Sequence, residues 1–157
     1  RLIIKMKKLI LLLLFIPLVS FGQLPEMNEK SVRAHFDQNG ADFIEGIWEY
    51  VSMTDIQSYR LAIFKDEFYY KAYILEKTEG QDGFEGWNVG EVKATFEKGN
   101  TDDDGQIKLI TKWTMGDKVS KNTSKGYVET DLNTIVIDNQ IFSTMVGVEL
   151  IRAYPKD

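Results

Sequence analysis

From residue 44 to the C-terminus, apolar and polar residues alternate with a period of two. That is the pattern of strands with one face turned to a core. It is clearest over residues 91–98 (EVKATFEK), where Val92, Ala94 and Phe96 fall on one face and Glu91, Lys93, Thr95 and Glu97 on the other. Similar runs, rich in Tyr, Ile, Phe and Val, predict strands over residues 46–52, 57–65, 68–76, 106–114, 133–138 and 144–154. A weaker strand is predicted around Tyr127-Val128, inside residues 119–130. Asp66-Glu67, residues 99–105, residues 115–118 and Asp138-Asn139 read as turns, and residues 77–90 as a Gly-rich loop. About eight short strands in sequence, with no long amphipathic helix between them, exclude a parallel sheet. The pattern predicts an all-β antiparallel domain, either an up-and-down barrel or a sandwich.

Two segments precede the strands. Residues 23–43 read as a linker with a short helix: Asn28 caps it, Val32 and Phe36 share a face, and Asn39-Gly40 ends it. So thin an apolar face must lean on another element or fray. Residues 1–22 have the organisation of a cleavable export signal. Lys5, Lys7 and Lys8 surround Met6, an apolar run covers residues 9–19, and Ser20-Phe21-Gly22 puts small residues at the −3 and −1 positions, making Gln23 the first mature residue. Residues 1–5 are expected to lie upstream of a start at Met6. The apolar run is 11 residues long, against the roughly 20 that a membrane-spanning helix needs. The domain proper is thus expected over residues 44–157, exported to the periplasm or beyond, with no retained membrane span and acting as a monomer.

Charge and composition narrow the function classes. The chain carries −5; without residues 1–22 it loses four basic residues (Arg1, Lys5, Lys7, Lys8) and no acidic one, so the mature charge is −9. An acidic domain repels phosphate backbones, so nucleic acid is not an expected partner. The chain has no cysteine. Disulfides, thiol catalysis, thiolate metal sites and lipid attachment to a cysteine are therefore absent from its chemistry, and some 135 residues can build a core without staples.

Candidate chemistry is sparse. Residues 100–105 (NTDDDG) resemble the start of a calcium loop, but position twelve is Thr111 where a Glu is required, so a solvated turn is the better reading. His35 is the only histidine and lies in the segment before the barrel, without the oriented nucleophile that a triad needs. Glu45 and Glu49 read as solvated charge. No catalytic residues, metal site or cofactor are expected.

The segment Asp42-Phe43-Ile44-Glu45-Gly46-Ile47-Trp48-Glu49-Tyr50 resembles the opening of lipocalin-like proteins, in which a short helical turn enters the first strand through Gly-x-Trp. Here the motif is Gly46-Ile47-Trp48. The chain is similar to the lipocalin-like domains of exported Gram-negative bacterial proteins. The resemblance implies a closed barrel and a basic residue near the end of the last strand that packs across the tryptophan at the barrel floor. Arg152, in Leu150-Ile151-Arg152-Ala153-Tyr154, stands in the matching place. A guanidinium over an indole is worth about 0.5–2 kcal/mol, and its remaining donors can serve backbone carbonyls.

On this register the inward residues are Leu61, Ile63, Tyr70, Ala72, Ile74, Val92, Ala94, Phe96, Leu109, Trp113, Val148 and Leu150. A barrel of about eight strands either fills itself with side chains or holds one small ligand. Leu61, Tyr70, Ala72, Ala94, Phe96, Leu109, Trp113 and Leu150 are the candidate lining for a small apolar ligand. The other candidate is an outer aromatic patch of Tyr69, Tyr73, Phe84 and Trp87, suited to a protein or glycan at the cell envelope, unless the loop folds over it. Two functions stay open: a non-enzymatic binder of a small hydrophobic molecule, or an accessory module that uses its outer face.

Overall fold

A computed structural model of the chain describes residues 23–51, 58–77, 87–114, 117–138 and 148–156. One helix, α1 (Glu29–Asn39), precedes eight strands: β1 (Gly46–Val51), β2 (Ser58–Asp66), β3 (Tyr69–Lys77), β4 (Val92–Thr101), β5 (Ile107–Thr114), β6 (Lys121–Val128), β7 (Thr134–Ile137) and β8 (Val148–Tyr154). Every strand pairs antiparallel with the next, and β8 returns to pair with β1. The sheet is therefore a closed up-and-down barrel, compatible with a lipocalin-like fold. Among the described residues no helix is long and apolar enough to cross a membrane.

The period-two pattern does its expected work. On β5, Leu109, Thr111 and Trp113 are buried while Lys108, Ile110 and Lys112 are exposed. Inward residues from all eight strands merge into one cluster, which runs from Trp48 and Leu61 through Ala72, Phe96 and Leu109 to Ile135 and Leu150.

The structure corrects three expectations. First, β6 extends over Lys121–Val128, well beyond the Tyr127-Val128 signal. Its buried positions are Ser124, Gly126 and Val128, so polarity alone hides the strand. Gly126 is small for a reason: a Cβ there would lie 2.5 Å from the Val136 carbonyl oxygen. Second, the β3–β4 register shifts after Ala72, which pairs with Ala94, whereas Tyr73 pairs with Val92. This bulge inserts Lys93 as an extra residue. Lys93 is consequently 5% exposed instead of outward with Glu97, and Val92 is absent from the interior cluster. Third, β4 runs on to Thr101, and the turn that follows is built by Asp102, whose Oδ1 accepts from the amides of Asp104 (3.1 Å) and Gln106 (2.9 Å).

Helix α1 does not fray. The Asn28 side chain accepts from the Ser31 amide at 2.9 Å, and Gly40, at φ 79°, returns its N–H to the Phe36 carbonyl. Val32 and Phe36 form a second core with Ile47, Ala62, Phe64 and Leu75, the outward residues of β1, β2 and β3. Phe36 stacks on Phe64 at 5.0 Å, and His35 meets Phe64 edge-on at 5.4 Å. His35 is thus a packing residue of a docked helix. Arg60 of β2 ties the helix start to the sheet, with Glu29 at 2.6 Å and Glu49 at 3.3 Å. At the other end Tyr154 donates to Asp37, and the Arg33 guanidinium lies 4.4 Å from the Tyr154 ring.

Candidate functional site

Three places concentrate polar chemistry against the apolar wall. The first is the barrel floor. Residues 42–45 cross the end at which β1 begins and β8 finishes, and Ile44 drops wholly buried into the core. Trp48 and Arg152 are cross-strand partners in the β1–β8 ladder. The Arg152 guanidinium lies 4.3 Å from the Trp48 ring. Its Nε donates to the Leu132 carbonyl (2.7 Å), Nη1 to Glu45 (2.8 Å) and Nη2 to Phe43 (2.5 Å). Trp48 Nε1 donates to the Ile44 carbonyl at 2.9 Å. A charge only 7% exposed is tolerated here because hydrogen bonds and an indole face replace its water. Asp42 completes the plug: Oδ2 accepts from Lys65 Nζ and from Tyr70 Oη, each at 2.8 Å. Burial works to raise the Asp42 pKa, but the hydrogen bonds from Lys65, Tyr70 and the Phe43 amide outweigh it and hold the carboxyl at about 2. Burial, then the Asp42 carboxylate, pushes the Tyr70 phenol well up. This plug is a seal; Glu45 belongs to it, its carboxylate accepting from the amides of Asp42 and Lys65.

The second place is the interior. Leu61, Tyr70, Ala72, Ala94, Phe96, Leu109, Trp113 and Leu150 all belong to the central cluster, and none keeps more than 4% of its surface exposed. None of these eight side chains opens onto a water-sized space. Ala72 and Ala94, the two small ones, are cross-strand partners, and Phe96 and Trp113 take up the volume beside them. Thr111 interrupts the apolar wall: it is fully buried and its hydroxyl has no hydrogen-bond partner.

The third place is the end of the barrel opposite the floor. Trp87, a candidate for an outer patch unless its loop folds over, is 2% exposed and joins the interior cluster. Residues 87–91 are laced to the end of β3: Gly90 donates to the Ile74 carbonyl (2.8 Å), Ile74 to Glu91 (2.9 Å) and Lys77 Nζ to Trp87 (2.5 Å). The Lys93 ammonium lies 4.2 Å from the Trp87 ring and 5.6 Å from Trp113, and donates to the Thr114 carbonyl at 2.8 Å. Burial lowers its pKa to about 8. Lys118 reaches the same indole at 5.4 Å while pairing with Glu91 at 2.8 Å. The indole N–H of Trp87 is buried without a partner. Against this cluster, Trp87, Glu91, Val92, Thr95, Lys112, Thr114, Lys118 and Lys121 line a recess of about 290 Å³.

The outer aromatic patch is therefore not assembled. Tyr69 is 47% exposed, Tyr73 packs beneath α1 beside Phe64, and Trp87 is buried. Phe84 lies outside the described residues. In the acidic turn, the second Asp102 oxygen pairs with Lys108 at 2.5 Å, so this carboxylate serves the turn. Sequence reasoning missed Lys93 and the recess, because both depend on the bulge that flips Val92 and buries the lysine beside it.

Fold and site together define an eight-stranded antiparallel barrel whose described inward side chains form one buried cluster, sealed at one end by an arginine–indole pair. Comparison with known proteins returns no matching family model, no matching curated protein and no matching solved structure.

Proposed function

We propose that this chain is an exported, non-enzymatic binding module that meets its partner with the outer surface and rim of the barrel and not with the interior. One observation carries the reading: the eight residues expected to line a ligand cavity are packed against one another to 4% exposure or less. A barrel of eight strands is just wide enough to be filled in this way. The surface offers a recess of about 290 Å³ lined by charged, hydroxyl and aromatic side chains. The leader organisation of residues 1–22 supports export.

The test is to look for a guest. Native mass spectrometry of the protein from its own source, and titration with a fluorescent fatty-acid probe that quenches Trp87 and Trp113, are expected to show neither a bound apolar molecule nor saturable quenching. A stoichiometric apolar guest overturns the reading. It would favour the second one, a small apolar ligand inside the barrel, which has its own support in the unpartnered Thr111 hydroxyl and the facing pair Ala72 and Ala94.

A further inference from the structure

The cations on the outer surface of the barrel are unevenly paired. Helix α1 covers β1–β3, where Arg60 pairs with Glu29, Glu49 and Glu76, Lys65 with Asp42 and Lys71 with Asp66. The β5–β6 ribbon is bare and carries lysines on its outward positions. Thr114 pairs with Lys121, Lys112 with Thr123, Ile110 with Lys125 and Lys108 with Tyr127. Lys121, Lys112, Lys125 and Lys108 are thus successive diagonal neighbours across one seam, each step about 7–8 Å. Six residue levels at the rise of a strand make this zigzag about 20 Å long. Lys108 is paired with Asp102. Lys112, Lys121 and Lys125 are exposed, and none of the three forms an ion pair among the described residues. Asp138, whose amide donates to the Lys125 carbonyl, and Glu97, opposite Ile110, flank the seam, and Glu91, paired with Lys118, lines the recess at its top. The top of the seam opens into the 290 Å³ recess, to which Lys112 and Lys121 both contribute.

Three exposed lysines in a row, none ion-paired among the described residues, make a local anion-attracting stripe on an otherwise acidic protein. We propose that the β5–β6 seam is a track for a linear acidic polysaccharide, one bearing carboxylates or sulfates along its length, with a terminal or side-chain sugar lodged in the recess. The inference rests on the outer-surface reading above. Charge complementarity selects an anion. The rigid, straight spacing selects an extended chain. Thr95 and Thr123, the cross-strand partners of Lys112 on either side, add hydroxyls that both donate and accept, as sugar hydroxyls require. Nucleic acid fits worse: its charge recurs about every 1.7 Å along a duplex, far more densely than lysines that stand about 7–8 Å apart. Single strands want stacked aromatic platforms, and the seam has only the half-buried Tyr127. A bilayer surface asks for a broad protruding apolar face, and here Ile110, 44% exposed, stands among the lysines with Val119, 81% exposed, at the turn.

The experiment measures binding of the protein to polygalacturonate and to heparin across a salt series, with neutral dextran, duplex DNA and phosphatidylglycerol vesicles in parallel. Retention on one or both acidic polysaccharides is expected, with none on dextran. The triple variant Lys112→Gln, Lys121→Gln, Lys125→Gln is expected to lose affinity by about tenfold or more at low salt and to lower the salt slope by about one per lysine removed. The triple Arg variant restores binding, and the control Lys30→Gln, Lys156→Gln binds like the native protein. Unchanged melting temperatures show that the surface changes leave the fold intact. Polysaccharide binding that ignores the triple variant, no polysaccharide binding at all, or equal or tighter binding to DNA or vesicles through the same lysines overturns the proposal. None of these outcomes touches the question of an apolar guest, so this inference and the reading it rests on fail separately.

Discussion

Arg152 stands on the inward register of β8, a position at which an unaccompanied charge is untenable. Three carbonyls from two segments, those of Phe43 and Glu45 in the plug and of Leu132 between β6 and β7, converge on it, and Trp48 covers its face. Removing either partner injures the other. Trp48→Ala leaves a large cavity and uncovers the guanidinium, and is expected to cost about 3–5 kcal/mol in urea denaturation. Arg152→Met keeps the volume but strands the carbonyls, and a loss of similar size is expected. Because both changes break one assembly, the double variant should cost clearly less than the sum of the two; strict additivity would mean that the pair does not act as a unit. Lys93 is the opposite case, a cation the fold accommodates at a cost. Burial takes its pKa from the ordinary 10.5 to about 8. Below pH 8 folded and unfolded chains both hold the proton, so stability does not change with pH on its account. Between about 8 and 10.5 the unfolded chain still holds a proton that the folded chain has released, and stability rises with pH. Melting temperatures of the native protein and Lys93→Met, compared from pH 7 to pH 10, should show a relative gain for the native protein above pH 8. A constant difference across that range would mean that the ammonium is as well solvated folded as unfolded.

At the scale of elements, the helix is the informative one. Its sequence offers two apolar residues, Val32 and Phe36, too few to hold a helix in water. Its stability is borrowed from the outer faces of β1–β3, where Ile47, Ala62, Phe64 and Leu75 form an apolar strip that would otherwise meet solvent. Phe36→Ala should therefore cost about 3–5 kcal/mol, and Asn28→Ala about 1 kcal/mol through loss of the cap. Both should accelerate amide exchange across residues 29–39 before the strands; intact protection of the helix in Phe36→Ala would show that packing against Phe64 is not what holds it. The same element shows how far the sequence can be read. Asn28, Val32, Phe36 and Gly40 announce the helix and both its ends, because capping and period are local properties. Nothing local says where the helix docks. Strands whose inward residues are large and apolar, such as β3 and β5, are equally plain. Strand β6 is not, because Ser124 and Gly126 occupy its inward positions, the second of them crowded by the Val136 carbonyl of the neighbouring strand. The floor pair was legible only through the resemblance of Gly46-Ile47-Trp48 and Arg152 to a known pattern. The Lys93 cluster was not legible at all: one inserted residue in β4 inverts the facing of Val92, and period-two reasoning has no means of seeing an insertion.

At the scale of the whole molecule, closure of the sheet joins residues from opposite ends of the chain. Trp48 faces Arg152 across the β1–β8 ladder, and the Arg152–Glu45 bond spans 107 positions. Contacts so distant in sequence make the loop-closure entropy of the last pairing large, and they predict refolding in the millisecond-to-second range of non-local β topologies. Gly46 is the hinge of that closure. It sits at φ +142°, and a Cβ there would lie 2.2 Å from the Tyr154 carbonyl oxygen, 3.1 Å from Arg152 Nη1 and 3.2 Å from Pro155 Cδ. The first of these is backbone, which cannot step aside as a flexible side chain would. Gly46→Ala can be accommodated only by parting the start of β1 from the end of β8, which also pulls the Glu45 carbonyl away from Arg152. The expected result is a loss of about 3 kcal/mol or more, as for other changes at strained backbone positions. Amides of β1 and β8 should exchange early while those of β4 and β5, which pair far from the seam, exchange last. Gly40, where an added Cβ meets nothing within 4 Å, supplies the comparison: Gly40→Ala carries the strain of a positive φ without the collision. If the two variants lose the same stability and exchange alike, the close approach at residue 46 is not what shuts the barrel. If only Gly46→Ala loosens β1 and β8, the glycine of the Gly-x-Trp segment is there because the two ends of the sheet meet on top of it.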